Sequence, residues 1–597
     1  MSYYDDASLV VIPSGYKTSK VYAEKPTDGS GDLTFTRTGD TATRVNSGLI
    51  EKVRTNLNTF SEQWDNAAYT SFRHNITANA GVAPNGTTTA DKLIATNVSG
   101  SHITFNSVNI NSNGEYSISC YVKASGLNKV AIRESKTIGY YASFDLSNGT
   151  LLDSSAGQSN TITSVGNGWY RISSTRSYVG VISLGIVTLP NSYTTGDPMT
   201  SWVGDNVNGV LVWGGQTEFG TVTDYIPTTT AAVSVGPVAN VPRLDYLGST
   251  CPRLNLEPQR SNLITFSEQL DNAAWTKNQS TITANTVVSP DGYTNADALV
   301  GNGANSIHTA FQQRTATGSS IHSISVYLKQ GTERYAYLLA LGRSPTVDNG
   351  DVAWFDLQLG TRPAAMGSGL SATITSVGNG WYRVTMPTSA YASSTQIELR
   401  VGIATVPGAQ INTATGFIYV WGAQLEQGTS ETSYIPTLAA SATRSVDDAT
   451  KTGITSLIGQ TEGTLFLDFE GGANDSVNHF LGLSDGTTGN RIVIVRSSSN
   501  TLYAQIRVGG VEQAFIQTAT LTANTRYKCA IAYKLNDIAF YVNGVLVGTD
   551  TSATIPATSV FATNTGVSSS FFERAINQTL VFKTRLTNSE LATLTTI

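Results

Sequence analysis

Charge is scarce in this sequence. Asp, Glu, Lys and Arg make up 13 % of its 597 residues, about half the ~25 % usual for soluble domains. Lys and Arg are scattered rather than clustered, and the formal net charge is −6. Phosphate binding needs clustered positive charge, so no nucleic-acid partner is expected. Cysteine is rarer still: Cys120, Cys251 and Cys529 have neither metal spacing nor a disulfide framework, and free thiols are expected. No apolar run approaches the ~20 residues that span a bilayer, so no membrane insertion is expected. The opening MSYYDDASLVVIPSG has no basic region followed by an apolar core, hence no expected secretory signal. The five histidines form no HxxxH or HExxH, and no GxSxG occurs; metal-hydrolase and nucleophile-elbow chemistry lack support. Long helical periodicity is missing as well.

What the chain has is self-similarity. Residues 161–171 (TITSVGNGWYR) return letter for letter at 373–383, and TFSEQ at 59–63 returns at 265–269. DNAA at 65–68 returns at 271–274, and YIPT at 225–228 returns at 434–437. The offsets are 206, 212 and 209, a period too long for a solenoid and suited to a duplicated whole domain. Inside each copy, SISCYVK at 117–123 and SISVYLK at 323–329 alternate apolar and polar residues, the pattern of a strand with one buried face. Short strands with Gly/Asn turns every eight to twelve residues argue for antiparallel β-sandwiches. The 55 glycines fit that reading.

The expected fold class is therefore all-β, built of tandem antiparallel sandwiches. Residues 1–57 read as a distinct N-terminal head, and 58–232 as the first module. Residues 233–262 read as a stiff connector carrying Pro242, Pro252 and Pro258, since proline favours extended chain. Residues 263–445 read as the second module, and 446–597 as a different sandwich. In that last part Asn543-Gly544 reads as a two-residue hairpin turn, and Thr587 with Glu590 as a capping box opening a short helix. Arg54-Thr55-Asn56-Leu57 and Arg260-Ser261-Asn262-Leu263 are matching entries into the two modules.

On the pieces TFSEQ–DNAA, SISxYxK, SVGNGWYR, VWGxQxE and YIPT, both modules resemble carbohydrate-binding-module-like jelly rolls of tailed-bacteriophage structural proteins. The connectors VPRLDY–CPRLNLEPQRSNL and the opening ASLVVIPSGYK–TFTRTGDTATRV resemble segments of the same fibre proteins. The C-terminal part resembles the concanavalin-A-like, laminin-G-like sandwich on EGTLFLDF, YKCAIAYKLNDIAFYVNGVLVGT and RLTNSEL. The resemblance implies a virion surface protein, a tail or head fibre or other appendage, made in the host cytoplasm. Residues 1–57 would join it to other virion structural proteins. It also implies a homo-oligomer, with a trimer expected, and attachment to bacterial or host glycans.

Sugar recognition uses flat aromatic faces beside amides and carboxylates. Trp169 with Trp381, and Trp213 with Trp421, sit in the best-repeated segments and are expected in the core. Aromatics that differ between copies are the better glycan candidates: Trp202, Trp354, Tyr140 and Tyr141. The plainer alternative for each is a surface aromatic or one buried between subunits. Glu62 with Glu218, and Glu268 with Glu426, recur at the first and last strands of each module. In related jelly rolls these ends lie close together, which makes the four acids candidates for a structural calcium. Calcium needs six to eight oxygens, so two acids alone are not a site and solvated carboxylates are the default. His102 and His308 are equivalent and read as hydrogen-bonded strand histidines.

Three functions compete. The first is a non-enzymatic, glycan-binding virion protein, in which repeated weak sites gain by avidity. The second is a purely architectural decoration protein. The third, a polysaccharide depolymerase, would use Asp468 and Glu470 of the LDFE run, spaced to share a sheet face.

Overall fold

In residues 117–123 the alternation does what strand geometry requires. Ile118, Cys120 and Val122 turn into a core, and the run forms the middle of the strand Gly114–Ser125. The computed structural model describes residues 3–110, 114–134, 139–246, 252–316, 320–345, 350–363, 371–391, 394–471, 479–522, 525–563 and 574–597. Cys251 lies outside them; Cys120 and Cys529 are buried free thiols, and burial pushes both thiol groups up. The protein is almost entirely antiparallel β-sheet, arranged as sandwiches.

Residues 53–236, with 293–295, form one compact unit. Among the described residues its two large sheets have six strands each. One runs Ser159–Gly166, Trp169–Tyr178, Gly114–Ser125, Gly209–Phe219, Ala90–Ala95, His74–Gly81. The other runs Thr150–Ser154, Tyr141–Asp145, Lys129–Arg133, Val181–Leu189, His102–Asn109, Thr70–Phe72. Trp64, Ile118, Phe144, Ile186 and Val212 fill the core.

The other unit comprises residues 1–52, 237–292 and 296–597. Its first sandwich repeats the first of those sheets, read here from the opposite edge: Ser280–Val288, Thr294–Gly301, Phe417–Gln427, His322–Gln330, Trp381–Pro387, Thr373–Gly378. The repeated NGW explains itself here. Asn167 and Gly168 (φ 51° and 76°), and Asn379 and Gly380 (53° and 76°), both take left-handed backbone, the two-residue turn that matches the twist of a hairpin.

The repeated entry asparagines act as clamps. Asn56 Nδ2 donates to the carbonyls of Gly215 and Ile226, and its Oδ1 accepts from the amides of Asn58 and Thr217. Asn262 does the same with Ala423, Ile435, Ile264 and Leu425. Both side chains are fully buried, so each binds the incoming chain to the last strand of its module. Asn262→Ala leaves four backbone groups without that partner in a dry site. A loss of about 3 kcal/mol is expected, read as a lowered melting transition in tryptophan fluorescence.

The C-terminal sandwich is not made of residues 446–597 alone. In one sheet, Arg574–Phe582 pairs with Glu462–Gly471 and also with Leu9–Val11 and Arg253–Leu256. In the other, Leu33–Thr36 lies between Lys20–Val21 and Asp448–Thr452. Leu9, Val11, Leu33, Phe35, Leu244, Leu254 and Leu256 share a core with Leu465, Ile494 and Phe540. The segment read as a separate head thus supplies strands to both sheets. The segment read as a stiff spacer carries the paired strands Arg243–Asp245 and Arg253–Leu256. The physical reason is that these short apolar runs have no core of their own and bury themselves by completing a distant sheet. The Asn543-Gly544 turn (φ 49° and 81°) and the Thr587/Glu590 capping box of helix Asn588–Thr595 stand where the sequence places them.

Candidate functional site

Each duplicated module carries the same aromatic constellation on the outer side of its first sheet. In module 1, Tyr121 meets Trp213 edge-on at 5.4 Å and Tyr225 at 6.0 Å, and Trp213 lies 4.6 Å from Tyr225. In module 2 the corresponding distances are 5.3, 6.0 and 4.9 Å among Tyr327, Trp421 and Tyr434. Arg171 stands 5.4 Å over Tyr121 and Arg383 5.4 Å over Tyr327. Each guanidinium is held by a Ser hydroxyl and a Thr carbonyl: Ser119 and Thr223, or Ser325 and Thr432. Trp169 and Trp381 donate their ring N–H to the carbonyls of Val82 and Val288. All four repeated tryptophans are buried.

The four acids of the calcium reading are already engaged. Glu218 accepts from the Thr223 amide and hydroxyl and from Gln216; Glu426 accepts from the Thr432 amide and hydroxyl. Burial pushes both carboxyls up, and these hydrogen bonds oppose it. Glu62 accepts from the Tyr225 hydroxyl. Glu268 accepts from Tyr434 and pairs with Lys52. Among the described residues no group of three or more His, Cys, Asp or Glu side chains comes together. His102 and His308 each face backbone carbonyls with both ring nitrogens.

The glycan candidates are not brought together. Trp354 is 3 % exposed, its ring packed 4.8 Å from Tyr337, so it offers no face to a ligand; the unmatched tryptophan fills a gap in its own module. Trp202 is half-buried and meets His102 edge-on at 4.6 Å. Tyr140 is half-buried under the Arg176 guanidinium, and the Tyr141 hydroxyl donates to Asp153 at 3.0 Å. Asp468 is 2 % exposed and held by Arg526 and Asn577. Glu470 is paired with Arg253. Neither carboxylate is left free of a cation to act as a general acid, although they do lie on one strand, Glu462–Gly471.

A cleft of about 790 Å³ opens within the larger unit. One wall is the Thr373–Gly378 and Trp381–Pro387 hairpin of module 2, contributing Thr373, Thr375, Ser376 and Thr385. Glu470 and Asn500 of the C-terminal sandwich line it too, with Arg253 and Asn255 of the connector. Arg44, Ile50, Tyr327, Arg383 and Glu431 also line it. Most of the lining residues carry hydroxyl, amide or ionic groups, while the larger part of the exposed lining is apolar. Sequence reasoning missed it because its walls come from segments separated by hundreds of residues. The legible signals were the repeated run TITSVGNGWYR, which supplies Thr373, Thr375, Ser376 and Arg383, and Glu470 of the LDFE run.

No curated protein matches this chain. Among solved structures, the Ruminococcus gnavus IT-sialidase CBM40 bound to alpha2,3 sialyllactose is similar at 17 % identity, TM-score 0.21, over 23 % of this chain and 84 % of that one. Mouse laminin alpha1 domains LG4-5 are similar at 11 % identity, TM-score 0.17, over 47 % of this chain and 87 % of that one. The SAP-like pentraxin of Limulus polyphemus is similar at 13 % identity, TM-score 0.18, over 22 % and 68 %. Residues 470–592 match the concanavalin A-like lectin/glucanases superfamily, so the C-terminal sandwich carries a concanavalin A-like domain.

Proposed function

We propose that this protein is a non-catalytic, glycan-binding surface protein of a phage virion, and that the cleft beside the concanavalin A-like domain takes the sugar. The observation that carries the glycan reading is the cleft's lining. About 790 Å³ accommodates several sugar rings, and its hydroxyl, amide and carboxylate groups match what sugar hydroxyls need. The charges there are internally paired, as in Arg253–Glu470 and Arg44–Glu51, which suits a neutral saccharide. The match of residues 470–592 to a superfamily that includes lectins supports the reading. The low charge and tandem sandwiches support surface display, with a homotrimer as the expected assembly. Attachment to other virion proteins is expected through residues 1–57, whose strands Leu9–Val11 and Leu33–Thr36 belong to the C-terminal sandwich.

A glycan array probed with the full-length protein tests this. Saturable binding to host-surface polysaccharide is expected, lowered at least about tenfold by Thr375→Trp, an exposed wall position. Binding that survives Thr375→Trp and Glu431→Ala would remove the cleft from the account. Absence of binding across host polysaccharides would favour the architectural reading.

A further inference from the structure

The two aromatic constellations have the same geometry but different cover. In module 2 the chain covers its own cluster with the 43–52 hairpin, formed by Thr43–Asn46 and Leu49–Lys52. Ile50 packs against Tyr327, Trp381, Trp421 and Tyr434, and its amide donates to the Pro290 carbonyl at 2.9 Å. Thr43 Oγ1 donates to the Tyr434 carbonyl at 2.6 Å. Lys52 Nζ stands 5.6 Å over the Trp421 ring, paired with Glu268 and, at 2.9 Å, with Asp291. Under this hairpin Tyr327 and Tyr434 are 3 % and 1 % exposed.

Module 1 keeps the receiving half. Glu62 stands for Glu268, Asn85 for Asp291 in the shared P-N/D-G turn, and Val165 for Val377 in TITSVGNGWYR. Tyr121 and Tyr225 are only half-buried, Asn85 is exposed, and Val165 is 44 % exposed where Val377 is partly covered. Among the described residues no salt bridge engages Glu62. The site has two half-buried tyrosines, a guanidinium over Tyr121 and the Glu62 carboxylate at the Tyr225 hydroxyl, while Trp213 beneath them is 3 % exposed.

We propose that the Tyr121–Trp213–Tyr225 cluster of module 1 is a docking site for a β-hairpin of another polypeptide that presents an apolar side chain and, two residues later, a lysine. The occupant is specified by the same residues in module 2, which hold such a hairpin through Ile50 and Lys52. The apolar residue packs on the half-buried Tyr121 and Tyr225, and the ammonium pairs with Glu62 at the edge of the cluster. One carboxylate replaces two, because Asn85 stands for Asp291, so the lysine contributes less here than in module 2. This proposal is independent of the glycan reading.

The test is fluorescence anisotropy with a labelled, cyclised peptide of residues 41–52 (TATRVNSGLIEK) titrated with the full-length protein. Saturable binding is expected, weakened at least about tenfold by Glu62→Lys and by Val165→Asp, and about fivefold by replacing the peptide's lysine with alanine. Val165 is a rim residue, so it tests the surface without touching the core; unchanged melting of both variants confirms folding. No saturation up to about 1 mM would overturn the proposal. So would binding that survives both variants, which would place the peptide elsewhere, including by exchange at module 2. Glycan binding lost in the two variants without any peptide binding would overturn it as well.

Discussion

Replacing Asp447 with alanine is expected to destabilise the C-terminal sandwich by about 3–5 kcal/mol, the usual cost of removing one member of a buried ionic cluster. Asp447 accepts from Arg37 at 3.1 Å, from Arg243, and from the Glu257 amide at 3.0 Å. Glu257 in turn pairs with Arg243 at 2.8 Å and Arg444 at 2.9 Å. The side chains of Arg37, Arg243, Arg444 and Asp447 are all 0 % exposed. Three guanidiniums share two carboxylates, so losing Asp447 strands cations in a dry site. Burial already holds Arg37 and Arg444 below their ordinary range.

The cluster also sets a pH dependence. Arg444 and Arg243 hold the Glu257 carboxyl well below the carboxylate range, against the opposing effect of burial. A depressed acid contributes stability that is complete above its unfolded value, 4.5, and is lost as pH falls through its folded value. The wild-type sandwich should therefore weaken progressively below about pH 4.5, and Glu257→Gln should flatten that slope while lowering stability at pH 7. All eight tryptophans lie between residues 64 and 421, outside this sandwich's strands. Hydrogen exchange along Arg574–Phe582 is thus the suitable measurement. A change under about 1 kcal/mol in Asp447→Ala, with Asp447→Asn alongside, would show that the cluster is not a stabilising lock.

The second large effect is expected from truncation: residues 446–597 produced alone should fail to fold. Without residues 1–52 and 237–262 the core loses Leu9, Val11, Val21, Leu33, Phe35, Leu244, Leu254 and Leu256. Each such side chain contributes about 1.5–3 kcal/mol on burial, so the eight together contribute about 12–24 kcal/mol, comparable to or larger than the ~5–15 kcal/mol net stability of a typical domain. Asp448–Thr452 would also lose its Leu33–Thr36 neighbour, and Arg574–Phe582 two of its pairings. Both would become unpaired edges, which invite aggregation. Size-exclusion chromatography and near-UV circular dichroism should show an aggregated chain without fixed tertiary packing. A monomeric 446–597 that melts cooperatively would refute the shared-core account. The same reasoning explains how modules 1 and 2 lie in the chain: each is inserted between segments of one sandwich.

Much of this architecture was legible in the residues. Period-two alternation marked the strands, because a sheet buries one face. The Asn-Gly pairs at 167–168, 379–380 and 543–544 marked the hairpins, because few residues tolerate left-handed backbone. The duplication identified Asn56 and Asn262 as matching entries and the four core tryptophans as structural. The choice of ligand-contacting aromatics was not legible in the same way. Trp354 looked available because it has no counterpart, yet absence from one copy says nothing about burial in the other.

By itself the sequence determined the class of structure, the two copies and the turns, since these depend on neighbours within a few residues. Tertiary structure alone decided that Leu9–Val11 and Leu33–Thr36 complete a sandwich more than 400 residues away in sequence. It alone decided that Arg253 neutralises Glu470 and that the tyrosines of one aromatic cluster are buried under a hairpin while those of its twin are only half-buried. The pairing of a short strand, the partner of a charge and the cover over a ring are all set by chain brought near from far away, and no local pattern of residues records which chain arrives.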